Sequence, residues 1–292
     1  MFTFLRNPFI ALLMGGFFIG LAAIFFRLSE MSPSWAVFYR MLFALPFVIL
    51  LCLYSPTKTA SFKLKHRQSY FICFIAGLAF TLDLIGWHWG LDLTTISNAT
   101  IIVNTAPIWV ALYGILFLKE SWRPFFLVPV FITYLGIAGL VTSFEGFSMN
   151  ANLGDVVSFI ASLLYALYLI CLSRLGGEHP FKIIFYTTFF CCLISLPLAL
   201  YESPHFLPET TTQFFYLVCL GAISQFLGQS LITFGMPRIK LSLGSMGLLM
   251  QPLTATLFGA WIFSEYLTLV QMIFAGIALW GIYLVRVVAA KE

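Results

Sequence analysis

Residues 107–120 read PIWVALYGILFLKE, and residues 252–265, 145 positions later, read PLTATLFGAWIFSE. Four residues fall at the same offsets in both stretches: Pro107 and Pro252, Leu112 and Leu257, Gly114 and Gly259, Glu120 and Glu265. The same interval relates Gly136 to Gly281 and Ser97 to Ser242. An interval of 147 relates Arg27, Pro33, Phe38 and Tyr39 to Arg174, Pro180, Phe185 and Tyr186. Any one match could arise by chance between apolar segments of small alphabet, but a nearly constant interval over four segments is a repeat. Its period is half of the 292 residues, so the chain divides into two similar units, 1–146 and 147–292.

Composition says where those units reside. The chain is 61% hydrophobic and 9% charged, with a mean hydropathy of +1.00, too few charges to cover a water-soluble surface. A helix crossing a hydrocarbon layer about 30 Å thick needs about 20 predominantly apolar residues. Ten stretches meet that requirement: 8–26, 33–54, 70–91, 96–118, 125–141, 154–174, 180–201, 214–237, 241–263 and 267–285. The runs are continuous, without the alternating polarity of a membrane barrel strand, so the fold class is an all-α integral membrane protein of ten transmembrane helices.

Five spans per unit is an odd number, so the second unit enters the membrane from the opposite side. The result is two inverted five-helix repeats, an arrangement used by many secondary transporters. Arg6 precedes the first apolar run, which lacks a small-residue cleavage site and reads as an uncleaved first helix. Thirteen of the fifteen Lys and Arg fall on the face that carries the N-terminus. Arg27 alone lies on the other face, and Arg40 lies within a span. The positive-inside rule then places both termini in the cytoplasm.

The paired Pro-to-Glu stretches, the 33–40 entrance to the second helix and the two five-helix halves resemble the drug/metabolite transporter superfamily, specifically its EamA-type ten-helix permeases. The resemblance covers the whole chain. It implies transport of a small metabolite through a central cavity lined by both halves, in a bacterial cytoplasmic (inner) membrane. Relatives of this kind export amino acids or other metabolites, or exchange phosphorylated and adenosyl compounds.

Ionisable residues inside a span are costly and point to function. Arg40 lies about seven residues, roughly 10 Å, into the second span from the face opposite the N-terminus. Asp83 lies at a similar depth in the third span. The two either pair structurally or receive the two ends of a zwitterion such as an amino acid. Trp87, four residues after Asp83, shares its helix face. His88 lies nearer the interface, either solvated or a partner of Asp83 in a proton relay.

Polar residues on apolar rods must face protein or water. Ser97, Thr100 and Asn104, with Asn98 beside them, form such a stripe on the fourth span. Gln225 and Gln229 lie on the eighth, Gln251 on the ninth, and Ser158, Ser162 and Tyr165 on the sixth. Of these, Arg40, Asp83, Trp87, Asn104, Gln225, Gln229 and Gln251 are the candidate substrate-binding residues, with Asp83 and His88 the candidates for proton coupling. Gly15, Gly16 and Gly20 suggest close helix approach. Pro107 and Pro252 are expected to kink their spans in the middle, and Glu120 and Glu265 to cap or pair at opposite interfaces.

The expected partners are a small-molecule substrate, protons and the lipid bilayer, in a monomer or homodimer without nucleic acid. No metal site or cofactor is expected: the six cysteines lie in or beside apolar runs without CxxC spacing. His66, His88, His179 and His205 accompany no HExxH or paired acidic motif, which argues against an enzyme. A flippase for a lipid carrier is the alternative transport reading.

Overall fold

A computed structural model describes residues 7–53, 62–94, 96–120, 127–145, 152–202, 207–263 and 268–289. Among them every regular element is helical: α1 (Pro8–Gly20), α2 (Ala22–Ser29), α3 (Pro33–Leu53), α4 (Arg67–Leu93), α5 (Ile96–Val103), α6 (Ala106–Phe117), α7 (Leu127–Glu145) and α8 (Leu153–Arg174). There follow α9 (Pro180–Glu202), α10 (Thr211–Cys219), a π-helical segment (Leu220–Gly228), α11 (Gln229–Gly235), a 3-10 turn (Met236–Arg238), α12 (Leu241–Gly247), α13 (Met250–Ile262) and α14 (Leu269–Ala289).

Joined where they run on, these elements give ten apolar rods at the places the sequence sets. Eight are long and apolar enough to cross a membrane, and Leu127–Val141 and Leu269–Val285 are shorter apolar helices. Their outer surface is apolar: Leu116, Phe117, Phe131 and Trp261 are 68%, 71%, 69% and 76% exposed. Such a surface suits lipid and not water. The chain is a multi-pass membrane protein.

Helix starts follow local chemistry. Asn7 accepts from the Phe9 backbone N–H at 3.0 Å, with Pro8 in the first turn where a missing N–H costs nothing. Asn152 and Asp155 cap α8 reciprocally, as Thr210 and Gln213 cap α10.

Four rods are interrupted, the first at Leu21 between α1 and α2. The fourth breaks between α5 and α6 and the ninth between α12 and α13, at repeat-related places. This corrects the expectation of kinks at Pro107 and Pro252. Each proline stands in the first turn of the segment that follows the break, and the disruption precedes it. At the first break Thr105 Oγ1 donates to the Ile102 carbonyl at 2.6 Å and Asn104 Nδ2 to the Thr100 carbonyl at 2.8 Å. These side-chain bonds add to the backbone N–H that each carbonyl already accepts, from Thr105 and Asn104 respectively. The remaining interruption is the π-helix in the eighth rod, a feature often found at functional positions.

The halves interlock. In the contacts between helices, α4 lies along α8 and α9, α3 along α9, and α1 along α11 and α13. The last spans of the two halves, α7 and α14, lie side by side through the repeat-related pair Gly136 and Gly281: a Cβ on Gly136 would strike the Ala278 backbone, and one on Gly281 would come within 2.6 Å of the Thr133 nitrogen. At Gly20 a Cβ would come within 2.5 Å of the Gln251 carbonyl oxygen, so α1 touches α13 backbone to backbone.

Candidate functional site

Near the end of the bundle opposite residue 8, a small recess lies between α2, α3, α4 and the start of the π-helix. Its lining includes Ala22, Phe26, Ala36, Val37, Arg40, His88 and Leu220. Arg40 is 3% exposed. Its Nε donates to Gln225 Oε1 at 3.1 Å, and Gln225 Nε2 donates to Thr188 Oγ1 at 3.2 Å. The guanidinium therefore hangs from a relay built by α9 and the π-helix of the second half. Its carbon lies 5.6 Å from the centre of the Phe80 ring, a cation–π distance. Nη2 is buried and has no hydrogen-bond partner among the described residues.

Asp83 is 5% exposed and senses the Arg40 charge, yet among the described residues neither takes the other as a direct ion-pair partner within 4.0 Å. An opposed pair held apart in a low-dielectric interior is unusual, because burying either ion costs several kcal/mol unless it is compensated. The arrangement buries a cation and a carboxylate within electrostatic reach of each other.

The expectation that His88 is solvated is corrected. It is 5% exposed, its ring lies 3.9 Å from that of Phe26, and Nδ1 faces the Leu84 carbonyl. A carbonyl only accepts, so Nδ1 carries the hydrogen and Nε2 keeps its lone pair. Trp87 is half-buried and packs on His88, ring centres 4.9 Å apart. Thus His88, and not Trp87, lines the recess with Arg40.

One turn of α4 towards the N-terminal end, Phe80 stacks on Tyr168 at 4.5 Å, and Tyr165 lies nearly parallel to Tyr168. Gln251 Nε2 donates to Tyr165 Oη at 2.8 Å, and Gln229 Nε2 to Tyr168 Oη. Gln229 Oε1 remains buried without a partner among the described residues. These rings and amides, drawn from both halves, form a floor beneath Arg40. Asn104 joins neither group: it bonds within its own helix, and its carbonyl accepts from Tyr134 Oη at 2.8 Å. Ser162 instead meets Thr105 Oγ1 at 3.1 Å and Trp109 Nε1 at 3.0 Å. The side chains of Ser97 and Asn98, and all of Glu265, lie outside the described residues. Among the described residues no cluster of three or more His, Cys, Asp or Glu could hold a metal ion.

Three residues of this arrangement were not singled out in the sequence: Thr188, Tyr168 and Phe80. Thr188 carries the only usable signal of its own, a hydroxyl deep in an apolar run. Tyr168 follows Tyr165 by three, on the same helix face.

A bundle of ten membrane helices in two inverted halves, with polar groups from both meeting inside, is the architecture of a membrane permease. The sequence pattern of the EamA-like transporter family matches residues 7–142 and, a second time, residues 152–287, and the chain belongs to that family. A transporter described as uncharacterized from Archaeoglobus fulgidus is 29% identical over 203 residues, 67% of this chain and 68% of its own. An S-adenosylmethionine uptake transporter of Rickettsia conorii is 23% identical over 52% of this chain and 50% of its own. The pseudopaline exporter CntI of Pseudomonas aeruginosa is 24% identical over 57% of each. The match thus spans about half the length of these last two relatives. A crystal structure superposes with a TM-score of 0.82 over 96% of this chain and 98% of its own at 13% identity, a likeness of fold.

Proposed function

We infer that this permease moves a small zwitterionic metabolite of the amino-acid class by alternating access. The observation that carries the reading is the separated pair: a buried guanidinium whose Nη2 has no partner among the described residues, near a buried Asp83 that senses its charge and that it does not bond. A substrate carboxylate on Arg40 and a substrate ammonium on Asp83 satisfy both charges at once. Gln225 holds Arg40 in place, Gln229 and Gln251 supply amides on the floor, and Trp87 backs His88. Asn104 contributes to the break in the fourth span rather than to the substrate.

The name of one relative suits this class, since S-adenosylmethionine is itself an amino-acid derivative. Asp83 and His88 are the groups through which protons couple to transport: Asp83 accepts a proton when no ammonium is present, and His88, beside Arg40 in the recess, is the second base. The Lys and Arg distribution supports cytoplasmic termini, and the family resemblance supports a bacterial cytoplasmic membrane.

The test is ligand-dependent thermal stability of the purified protein against amino acids, matched amines and matched carboxylic acids. A ligand at a hundred times its Kd stabilises by about 2.7 kcal/mol. The reading expects stabilisation only by a compound bearing both groups, lost in Arg40→Gln and in Asp83→Asn. Equal stabilisation by the acid without its amine contradicts it.

A further inference from the structure

Two carboxylates tie the halves at the N-terminal end: Glu178 holds residues 65–69, and Glu120 joins the two repeat-related spans, the fourth and the ninth. The Glu120 side chain, at the end of the fourth span, accepts from the Leu241 N–H at 2.6 Å, the Ser242 N–H at 3.1 Å and the Ser242 hydroxyl at 2.7 Å, all at the start of the ninth. Three donors on one carboxylate make a charge-assisted contact stronger than ordinary neutral bonds.

The approach is shaped for it. Lys119 is left-handed, φ 53°, a conformation that a side chain adopts at a cost. It turns the chain so that Glu120 N–H donates to the Gly114 carbonyl at 3.0 Å. The carboxylate then lies over Gly114, where a Cβ would come within 2.7 Å of Oε2. At the repeat-related Gly259 no atom of the described residues lies within 4 Å of such a Cβ. A second tie, Ser245 Oγ to the Pro107 carbonyl at 3.3 Å, continues the seam inward.

The packing is correspondingly one-sided. In α6 and α12, the portions nearer the N-terminal end, the fourth and ninth spans lie against each other. Their remaining portions diverge, α5 onto α4, α7 and α8, and α13 onto α1, α2 and α7. The spans form a V joined at the N-terminal end, and the breaks before Pro107 and Pro252 are its flexure points.

We propose that the Glu120–Ser242 contact is a latch that holds the N-terminal end closed and must open for the site to reach that side. It rests on the alternating-access part of the functional reading and on no choice of substrate. The latch sets the balance between two arrangements: weakening it populates the form open at the N-terminal end and closes the V at the other.

The experiment uses pulsed electron-spin distance measurements on the full chain in nanodiscs, with the native cysteines replaced. One label pair replaces Leu116 and Arg238 at the N-terminal end, the other Leu93 and Trp261 at the opposite end. Glu120→Gln and Ser242→Ala are compared with the parent. The expected result is a longer distance at the first pair, at least fivefold more populated in either variant, with a reciprocal shortening at the second. Unchanged distributions overturn the latch, and so does lengthening at the first pair alone, which is local fraying. If Glu120→Gln fails to fold, Ser242→Ala gives the same readings. Because distances and not flux are read, a wrong substrate class leaves the outcome untouched.

Discussion

Arg40 Nε and Gln225 Oε1 lie 3.1 Å apart although 185 residues separate them in the chain. The bond ties the second span of the first half to the π-helix of the second. It also fixes which guanidinium nitrogen points to the interior. Gln225→Leu keeps the volume and removes the acceptor. It is expected to destabilise by about 1.5–3 kcal/mol, the usual worth of a bond to a charged group. Thr188→Val, which leaves only an amide unsatisfied, is expected to cost about 1–3 kcal/mol. Reversible unfolding in mixed micelles measures both.

At the N-terminal end, outside the spans, Glu178 accepts from the Lys65 N–H at 3.0 Å, the His66 N–H at 3.1 Å and the Ser69 hydroxyl at 2.8 Å. Partial burial alone would raise its pKa, but these bonds to the ionised form outweigh it and hold the carboxyl below its ordinary 4.5. A depressed carboxyl pKa contributes stability that is fully present above the unfolded value and fades as pH falls through the folded one. The wild type is expected to lose stability on acidification below about pH 4.5 more steeply than Glu178→Gln. Parallel pH profiles of unfolding would contradict the assignment.

Where α7 and α14 meet, Gly281 has no space for a side chain against Thr133. Gly281→Val is expected to cost about 1–3 kcal/mol, the usual range for overpacking, and Gly136→Val likewise. A control is Gly276→Val on the same helix, where no described atom lies within 4 Å of a Cβ. Thermal melts of the three variants rank them, and equal losses would remove the close-packing argument.

Pro107 begins α6 and does not interrupt it. Its absent N–H falls where a helix leaves that donor free in any case. Pro107→Ala is therefore expected to change stability by less than about 1 kcal/mol, well short of the 3 kcal/mol typical of a proline within a helix. Thr105→Val, which deletes the hydroxyl that caps the Ile102 carbonyl and meets Ser162, is expected to cost more. Unfolding free energies of the two variants decide the order.

The spans, the repeat and its inversion were legible because each depends on long-range averages: twenty apolar residues, one interval, one count of basic residues. The breaks were legible only as prolines, since the sequence marks where a helix can resume but not that Asn104 and Thr105 end the preceding segment. The π-helix leaves no mark in 220–228, where neither Pro nor a polar run stands. Arg40 and Asp83 stood out because charge is rare in a span. Their partners did not. Thr188 is one hydroxyl beside Thr187 in an apolar run, and what distinguishes it is the arrival of Gln225 from another helix. His88 shows the same limit: its position near a span end suggested solvent, and the packing of Phe26 from α2 buries it.

The central claim is best tested by counterflow of a panel of labelled amino acids and nucleosides in proteoliposomes, with and without an inward proton gradient, for the wild type and Asp83→Asn. Saturable counterflow of one zwitterion, driven by the gradient in the wild type and lost or uncoupled from it in the variant, is the predicted result. Absence of movement of any zwitterion by folded protein would contradict the account and direct the search to phosphorylated metabolites and lipid carriers.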